Sequence, residues 1–434
     1  MTAREQIANY ESTLREYTNF AVRGVKKVCK TVGARESATE SERRGQEMMA
    51  EDLKSCCESV TMEEFISAPR GFLAWINIGV ACGVLSALAF NLGYALIAAF
   101  VLGLGIAGFF VEFFLYKKFY DPFFPKKTSQ NLVAVRKPEG EVKRRLILCG
   151  HSDSAYEFSF TYWGHKYFKS VKLLTVMIIF AAIILVGGAV ICLLGVLFER
   201  GGLLGLGNLG QRAQWLRVLG YVYAAACVPL CAEILFKSWK KVVEGANDNL
   251  SGCYTAMAAA KLLGGQGLRL KNTELVILCS GCEESGLRGA KAFVAAHKEE
   301  YSDVETAMIA LDTMRDYEHI GIYVTDIHGR VKHSPAVAAL MKEAAKTAGH
   351  DLKYHSLFFG ASDAAAATQA GIPAALLAAM DPAPAPYYHT RLDTHDNLDP
   401  KTIEACLDIT LEIAHLYDTA GLAPFQDAVV KVGQ

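Results

Sequence analysis

The chain has 434 residues, of which 52% are hydrophobic and 21% are charged. This length allows one large domain or two to three smaller ones, and the hydrophobic share is high for a wholly soluble protein. The formal net charge of -1 at pH 7 gives no reason to expect nucleic acid as a partner.

The 12 cysteines are dispersed along the chain, and the C-x-x-C at Cys279–Cys282 has no second pair to complete a zinc knuckle. A redox role for that pair stays open, although two glutamates follow it at once. We interpret the cysteines as free thiols in a reducing compartment. The N-terminus, MTAREQIANYESTLREYTNF, is charged and lacks an apolar core, so no cleaved signal peptide is expected.

The first 70 residues are predicted to be helical, with a capping-type opening at Ser37–Glu40 before a run that ends near Leu53. VTMEEFISAP predicts a short strand that Pro69 stops. Further along, NLVAVRKP and RRLILCG predict two strands that a Pro-Glu-Gly turn joins.

Four apolar runs predict helices that cross a membrane. No residue from Gly71 to Val111 is charged, and this run is about twice the length that one span needs. We therefore expect two spans, at about 71–90 and 93–111, with a break at Asn91–Gly93. A third span is expected at 173–198. The fourth, at about 218–236, contains Pro229 and Glu233, so an interfacial or buried helix remains the alternative there.

The basic residues around these runs predict their orientation. The connection between the first two spans has no basic residue, and the connection between the last two has Arg200 and Arg212, with Arg217 at its edge. By the positive-inside rule, both termini and the remaining segments face the cytoplasm in a multi-pass protein. The lysines on the cytoplasmic side are Lys117, Lys118, Lys126, Lys127, Lys166, Lys169, Lys172, Lys237, Lys240 and Lys241.

From Asn249 onward, predicted helices alternate with short apolar strands. The helices are expected near 250–263, 286–298, 335–347, 362–369 and 401–418, and the strands at ELVILC, TAMIAL, IGIYV, HSLFF and PAALLA. This alternation predicts an α/β fold with a mixed, mostly parallel sheet flanked by helices. About four transmembrane helices are inserted into it as two hairpins.

The expected division of the chain follows from these runs. It comprises an N-terminal helical part (1–70), a first transmembrane hairpin (71–116), the first strands (117–170), a second hairpin (171–237) and the main α/β part (238–434).

Several metal-type ligands come directly after predicted strands or in short loops. Two imidazoles and a set of carboxylates form the mixed nitrogen and oxygen donor set that Zn²⁺ accepts. Ligands gather beyond the carboxyl ends of the strands in such sheets. The pattern therefore predicts a two-metal hydrolase, and its candidate residues are His151, Asp153, Asp248, Glu283, Glu284, Asp312 and His389.

The motifs around these residues resemble those of the co-catalytic di-zinc exopeptidases, which include bacterial leucyl aminopeptidases, glutamate carboxypeptidase and the transferrin receptor ectodomain. In order, they are H-x-D, G-A-N-D-N-x-S-G, E-E-x-G-L-x-G, an Asp after an apolar strand, G-x-S-D, A-G-I-P-A and Y-H-T-x-x-D-T-x-D-N. ARESATESERR, at residues 34–44, also resembles the opening region of that family. The resemblance covers about three quarters of the chain and leaves out the apolar runs.

The resemblance implies a site for two Zn²⁺ ions, with Co²⁺ or Mn²⁺ left open as the native metal. His151 and Asp312 would bind one ion, Glu284 and His389 the other, and Asp248 would bridge them.

The same resemblance implies that Glu283 is the general base for a bridging water, and that Asp153 accepts the N–H of the His151 imidazole. It implies a membrane-embedded metallopeptidase, in the first place an aminopeptidase, with peptides and the lipid bilayer as partners and the oligomeric state open. The rival is a catalytically silent receptor or transport-associated subunit. Glutaminyl cyclases share the fold with one zinc, but the intact G-A-N-D-N and the Glu283–Glu284 pair favour the peptidase.

Alternatives remain at three positions. Asn247 or Asn249 could replace Asp248, and His395 could replace His389. Ser362-Asp363 is interpreted as a helix N-cap rather than a ligand; Ala364 stands where relatives often carry a His.

The aromatic-rich stretch Tyr156–Ser170 precedes the third apolar run. It leads us to expect that the metal centre opens close to the cytoplasmic membrane surface.

Overall fold

The computed structural model describes residues 2–170, 172–198, 212–383 and 385–433. The chain divides into two compact units. The sheet unit comprises Met1–Pro69, Lys126–Tyr156 and Lys240–Gln434, and the apolar-helix unit comprises Arg70–Pro125 and Glu157–Trp239. The division differs from the expected one because residues 117–125 and 157–170 group with the apolar helices.

Eleven strands occur in the described residues, and nine of them form one sheet. The remaining two, β4 and β5, form a separate two-stranded sheet. The bounds are β1 Ser59–Ser67, β2 Lys127–Arg136, β3 Arg144–His151, β4 Tyr156–Phe158, β5 Lys237–Val242, β6 Thr273–Ser280, β7 Glu305–Met314, β8 Ile320–Asp326, β9 Val331–Lys332, β10 Lys353–Ser356 and β11 Ala374–Ala379.

The strand order in the large sheet is β1-β2-β6-β3-β7-β11-β8-β10, with β9 paired to β8. The central strands β6, β3, β7 and β11 run parallel to one another. The antiparallel pairs include β1 with β2, β2 with β6, and β8 with β11. Central strands such as RRLILCGH are almost entirely buried, as expected for parallel strands that are covered on both faces. The predicted mixed α/β sheet is confirmed.

Helices of the sheet unit cover both faces. One hydrophobic core includes side chains of the long helices α2, α9, α11 and α13, and a second, on other residues of the same strands, includes side chains of α10 and α12. The bounds are α1 Ala3–Gln6, α2 Tyr10–Thr31, α3 Glu40–Leu53, α4 Ala74–Asn91, α5 Ala95–Phe109, α6 Ser159–Phe168, α7 Lys172–Phe198, α8 Gln214–Leu230, α9 Gly252–Gly265, α10 Arg288–His297, α11 Pro335–Thr347, α12 Asp363–Ala370 and α13 Pro400–Ala420.

One predicted strand begins and ends earlier in the chain than expected. HSLFF was expected to be a strand at 355–359, but β10 ends at Ser356. Phe358 and Phe359 lie beyond it and are 78% and 59% exposed. The apolar pattern was misleading because the loop after β10 offers no sheet face against which these rings could be buried.

The apolar-helix unit contains four helices that are long and apolar enough to cross a membrane, judged by length and composition alone. They are Ala74–Asn91, Ala95–Phe114, Lys172–Phe198 and Gln214–Leu235. The first two are separated at the expected break, where Gly93 has a φ of +88°. Many of their large apolar side chains are exposed, as on a lipid-facing surface, for example Phe100 at 66% and Val186 at 62%. Arg200, used for the orientation, lies outside the described residues.

Replacing Ile309 by Ala should lower the unfolding midpoint of the sheet unit. Ile309 is fully buried on β7, opposite Leu148 on one side and Ala375 on the other. Truncation of this side chain would leave a cavity and lower the free energy of unfolding by about 2–5 kcal/mol. Val429→Ala, at a side chain that is 77% exposed, is the control and should change stability by less than about 0.5 kcal/mol. Equal midpoints for both variants in chemical denaturation would contradict the placement of the core.

Candidate metal centre

The register of the central strands brings candidate ligands from three segments to the same edge of the sheet. His151 is the last residue of β3 and is paired with Ser280 at the end of β6, while Cys149 is paired with Ala310 on β7. Asp312 lies two residues beyond Ala310, so it reaches the same edge of the sheet as His151. The Glu283–Glu284 pair follows β6 directly. Parallel strands thus deliver these groups to one place because their carboxyl ends coincide.

Asp153 is fully buried two residues after His151 and holds the glutamate pair. Its carboxylate accepts the backbone N–H groups of Glu283 at 3.0 Å and Glu284 at 3.2 Å, and the hydroxyl of Ser37 at 2.7 Å. Its Oδ1 lies 3.5 Å from Nδ1 of His151. Nδ1 of His151 makes no hydrogen bond within the described residues, so Asp153 lies beside the imidazole without accepting its N–H here, and it anchors the turn that carries both glutamates.

The loop before α9 presents Asp248, and a second buried carboxylate holds it. Asp393 accepts the backbone N–H and the side-chain amide of Asn247, both at 2.8 Å, and the backbone N–H of Asp248 at 3.1 Å. The peptide bond between Asp248 and Asn249 is cis. Asp393 was not singled out from the sequence, although it is the first Asp of the Y-H-T-x-x-D motif.

The neighbours of Asp248 face other partners. The side-chain amide of Asn249 donates to the carbonyl of Leu311 at 2.8 Å and accepts the N–H of Thr313 at 3.2 Å, so it ties this loop to β7 beside Asp312. Asn247 is engaged by Asp393. Of the three residues in Asn-Asp-Asn, Asp248 is the one whose carboxylate is directed to the two histidines.

Gly252 allows this close approach of the loop to β7. A Cβ atom at this position would lie 2.1 Å from the carbonyl oxygen of Leu311. Any larger residue would therefore push α9 away from the strand that carries Asp312.

Arg35 is a second residue that sequence reasoning did not single out, although it lies in the ARESATESERR stretch. Its guanidinium is fully buried and donates to the carbonyls of Ser152 at 2.7 Å, Glu244 at 2.8 Å and Gly245 at 2.9 Å. It thereby joins the segment after His151 to the segment that leads to Asp248.

The ligand atoms lie within a few ångströms of one another. Nε2 of His151 lies 3.1 Å from Oδ1 of Asp248, and Nε2 of His389 lies 3.1 Å from Oδ2 of the same carboxylate. Nε2 of His389 also lies 3.3 Å from Oε1 of Glu284, and Nε2 of His151 lies 3.8 Å from Oε2 of Glu283. Asp248 therefore presents one oxygen to each histidine.

Three groups of residues each bring their ligand atoms within 4.8 Å of one another. His151 and His389 belong to different groups that share Asp248, which is the arrangement that a bridging carboxylate requires. The three groups are His151–Asp248–Asp312, Asp248–Glu284–His389 and His151–Glu283–Glu284.

The buried oxygens fit a metal better than a hydrogen-bond network. Within the described part of the chain, Oδ2 of Asp248 and Oε1 of Glu284 are buried and accept no hydrogen bond. A buried carboxylate oxygen without a donor is costly unless a cation is bound to it. The donor set, two imidazole nitrogens with several carboxylates, is the one that Zn²⁺ accepts.

The pKa values of several carboxyl groups in the cluster are raised, because these groups are buried close to one another. Burial raises the pKa of Glu284 to about 8, with a further contribution from the charge of Asp248. Burial and the Asp248 charge also raise the pKa of Asp312 to about 7. The pKa of Glu283 lies well above its usual range, again through burial first. Burial alone would lower the pKa of His151, but Glu283 and the other carboxylates raise it well above its ordinary value. The buried carboxylates thus repel one another, and the two imidazoles do not balance their negative charge.

His395, the alternative to His389, is engaged elsewhere. Its Nδ1 lies 2.6 Å from Oε1 of Glu244, and its backbone N–H donates to the other oxygen at 3.2 Å. It therefore connects the loop after His389 with the loop before Asp248 and belongs to none of the three groups of ligands.

Ser362 occupies the N-cap position of α12, as expected, but its hydroxyl donates to buried Asp326 at 2.5 Å instead of accepting from the helix. Asp363 accepts the hydroxyl of Ser280 at 2.5 Å and the thiol of Cys149 at 3.3 Å. These two residues are therefore part of the packing behind the strand ends.

The C-x-x-C cysteines are buried free thiols. Burial raises the pKa of the Cys282 thiol well above its usual value, so its reactive thiolate is disfavoured.

Comparisons with known proteins agree with this description. Residues 235–414 match peptidase family M28, a range that contains the candidate ligands except His151. No curated protein matches the sequence.

Several solved structures share the fold. The zinc aminopeptidase BSAP from Bacillus subtilis aligns with a TM-score of 0.52 and 15% identity over 93% of this chain and 95% of its own. The aminopeptidase from Aneurinibacillus sp. strain AM-1 aligns with 0.53 and 16% over 93% and 95%. The glutaminyl cyclase of Fimbriiglobus ruber aligns with 0.53 and 14% over 92% and 95%. The expected resemblance is confirmed at this level: residues 235–414 match the peptidase family M28 model, and the chain shares its fold with zinc aminopeptidases and a glutaminyl cyclase.

Proposed function

We propose that the protein is a membrane-embedded di-zinc aminopeptidase whose sheet unit faces the cytoplasm. The observation that carries the proposal is the position of Asp248, whose two oxygens lie 3.1 Å from the Nε2 atoms of His151 and His389. His151 and Asp312 would hold one zinc, Glu284 and His389 the other, and Asp248 both. The M28 match and the aminopeptidase folds support zinc-dependent hydrolysis of this kind.

Zinc supplies Lewis-acid chemistry: it lowers the pKa of water and polarises a peptide carbonyl. The residues of the chain do the rest. Glu283, whose side chain is 10% exposed, is placed at the edge of the cluster and would accept the proton of the attacking water and return it to the leaving amine. Asp153 holds the backbone of Glu283, so the orientation of the base is set before substrate binds.

Two other activities are compatible with the fold. A glutaminyl cyclase would use the same scaffold, since one of the structural neighbours has that activity. A silent binding subunit would need no Glu283. Two groups of candidate metal ligands share Asp248, and the Glu283 carboxylate lies beside them; this arrangement supports the hydrolase over both.

The substrate assay that tests the proposal uses the purified full-length chain with zinc. We expect release of N-terminal residues from short peptides. The measurement is the appearance of new amino groups. A peptide with an N-terminal Gln that loses ammonia without chain cleavage would instead identify a cyclase. Metal binding without either reaction would identify a binding subunit.

Glu283→Gln should lower the turnover of peptides by about 10²–10⁴-fold, the usual contribution of a general base. The metal content should stay unchanged, because the variant keeps all five proposed ligands. Asp248→Ala should lose metal as well as activity. Glu299→Gln, the same change at an exposed position, is the matched control. Near-normal turnover of Glu283→Gln, measured beside metal analysis, would show that another group is the base.

Asp393→Ala should weaken zinc binding by about 10–100-fold, as loss of a residue that orients a ligand does. The change leaves the N–H groups of Asn247 and Asp248 without their acceptor, so the loop is no longer held. Asp396→Ala, three residues away at a side chain that is 80% exposed, should bind zinc normally. The measurement is metal content at buffered free zinc. Equal affinities in the two variants would remove Asp393 from this role.

The proposed orientation predicts the reactivity of single introduced cysteines in intact cells. Leu206→Cys, outside the described residues, should react with an impermeant reagent from outside. Glu40→Cys and Gln426→Cys, both at exposed positions, should react only after permeabilisation, because the basic flanks keep the sheet unit inside. Mass spectrometry identifies the labelled peptide. Labelling of all three from outside would overturn the orientation.

A further inference from the structure

The loop between β10 and α12 displays two phenylalanines that the packing of the sheet unit does not use. Phe358 is 78% exposed and Phe359 is 59% exposed. Single exposed apolar side chains are common on proteins, but two adjacent aromatic rings form a surface that usually marks an interaction site.

The loop is held at both ends, so the exposure is built into the fold. The backbone N–H of Leu357 donates to the carbonyl of Thr325 at 2.9 Å. At the other end, buried Asp326 accepts the backbone N–H of Ser362 at 3.1 Å and its hydroxyl at 2.5 Å. A loop anchored in this way presents its rings outward without a further ordering cost.

The turn between β8 and β9 supports the aromatic tip. The ring of His328 packs edge-on against Phe359, with 5.8 Å between the ring centroids. Nδ1 of His328 lies 3.3 Å from the carbonyl oxygen of Phe358. The tip and this turn therefore form one surface, which we call the aromatic tip surface (residues 327–332 and 353–359).

Basic side chains outnumber acidic ones in and beside the aromatic tip surface. Its segments 327–332 and 353–359 contain Arg330, Lys332 and Lys353 and no Asp or Glu, and the exposed Asp351 precedes the second segment. All three basic side chains are exposed. Exposed aromatic rings beside basic side chains are typical of surfaces that bind an anionic bilayer, where the rings enter the headgroup region and the cations pair with lipid phosphates.

The tip lies close to the proposed metal centre. A Cβ atom at Gly360 would lie 3.9 Å from the hydroxyl of Tyr388, and the ring of Tyr388 stacks on the His389 imidazole with 4.0 Å between the centroids. Gly360, which follows Phe359, therefore lies near a tyrosine that stacks on one of the proposed zinc ligands.

We propose that the aromatic tip surface docks on the anionic bilayer in which the chain's own apolar helices are embedded. The inference rests on the membrane placement in the proposed function. Because four candidate spans tether the sheet unit to the same bilayer, docking is an intramolecular event and needs only a small contact.

The test uses the full-length chain in nanodiscs of phosphatidylcholine and phosphatidylglycerol, with the photoreactive residue benzoylphenylalanine at position 358. Mass spectrometry after illumination should find lipid adducts. Glu141 is the matched negative position, because it is exposed and lies outside the aromatic tip surface. Val186 on α7, which is 62% exposed, is the positive position for membrane embedding.

The charge requirement is tested on the same sample. Replacing Arg330, Lys332 and Lys353 by Gln, or adding salt to ~1 M, should lower the adduct yield at position 358 at least about threefold. The yield at position 186 should not change. Peptide hydrolysis by all these variants in detergent reports that they are folded.

The outcomes separate the two ideas. Lipid adducts at 186 but not at 358 would overturn bilayer docking and leave the membrane placement intact. Adducts at neither position would overturn both. Adducts at 358 with an added short apolar peptide, in place of lipid, would identify the tip as part of the peptide-binding rim and would also overturn docking.

Discussion

The rest of the sheet unit depends on one constraint, the burial of several carboxylates around two imidazoles at the ends of parallel strands. Asp248 lies 3.1 Å from both His151 and His389, and the pKa values of Glu284 and Asp312 are raised to about 8 and about 7 by burial and by the charge of Asp248. Such a cluster is unfavourable by itself because like charges repel at low dielectric. Bound divalent cations would relieve that repulsion, so metal binding at this site would stabilise the folded sheet unit.

Two further carboxylates keep the cluster in place although neither is a proposed ligand. Asp153 accepts the backbone N–H groups of both glutamates, and Asp393 accepts those of Asn247 and Asp248. Each of these carboxylates fixes the backbone and so leaves the ligand side chain directed at the centre. Orienting groups of this kind set ligand geometry before metal binds.

The apolar helices of Glu157–Trp239 are inserted between two parts of the same cluster, since His151 precedes them and Asp248 follows. The sheet unit tolerates this because the chain leaves and returns at positions that are joined. Arg35 donates to carbonyls on both sides, at Ser152 and at Glu244–Gly245, and the N–H of Val243 donates to the carbonyl of Ala155 at 2.9 Å. With the ends held, the length of the insertion has little further cost, because closure entropy grows only slowly with length.

The sequence by itself determined the fold class, the four apolar runs and the set of candidate ligands, because strand and helix periodicity and the ordered motifs are local signals. Only the tertiary structure decided which residues orient that set. Asp393 and Arg35 act through partners far away in sequence, and His395 is separated from His389 only by its contact with Glu244. The same holds for Phe358 and Phe359: their apolar pattern predicted a strand, but β10 ends before them and leaves both exposed. Local patterns report which side chains are apolar or charged, whereas burial and hydrogen bonding depend on what the rest of the chain brings to them.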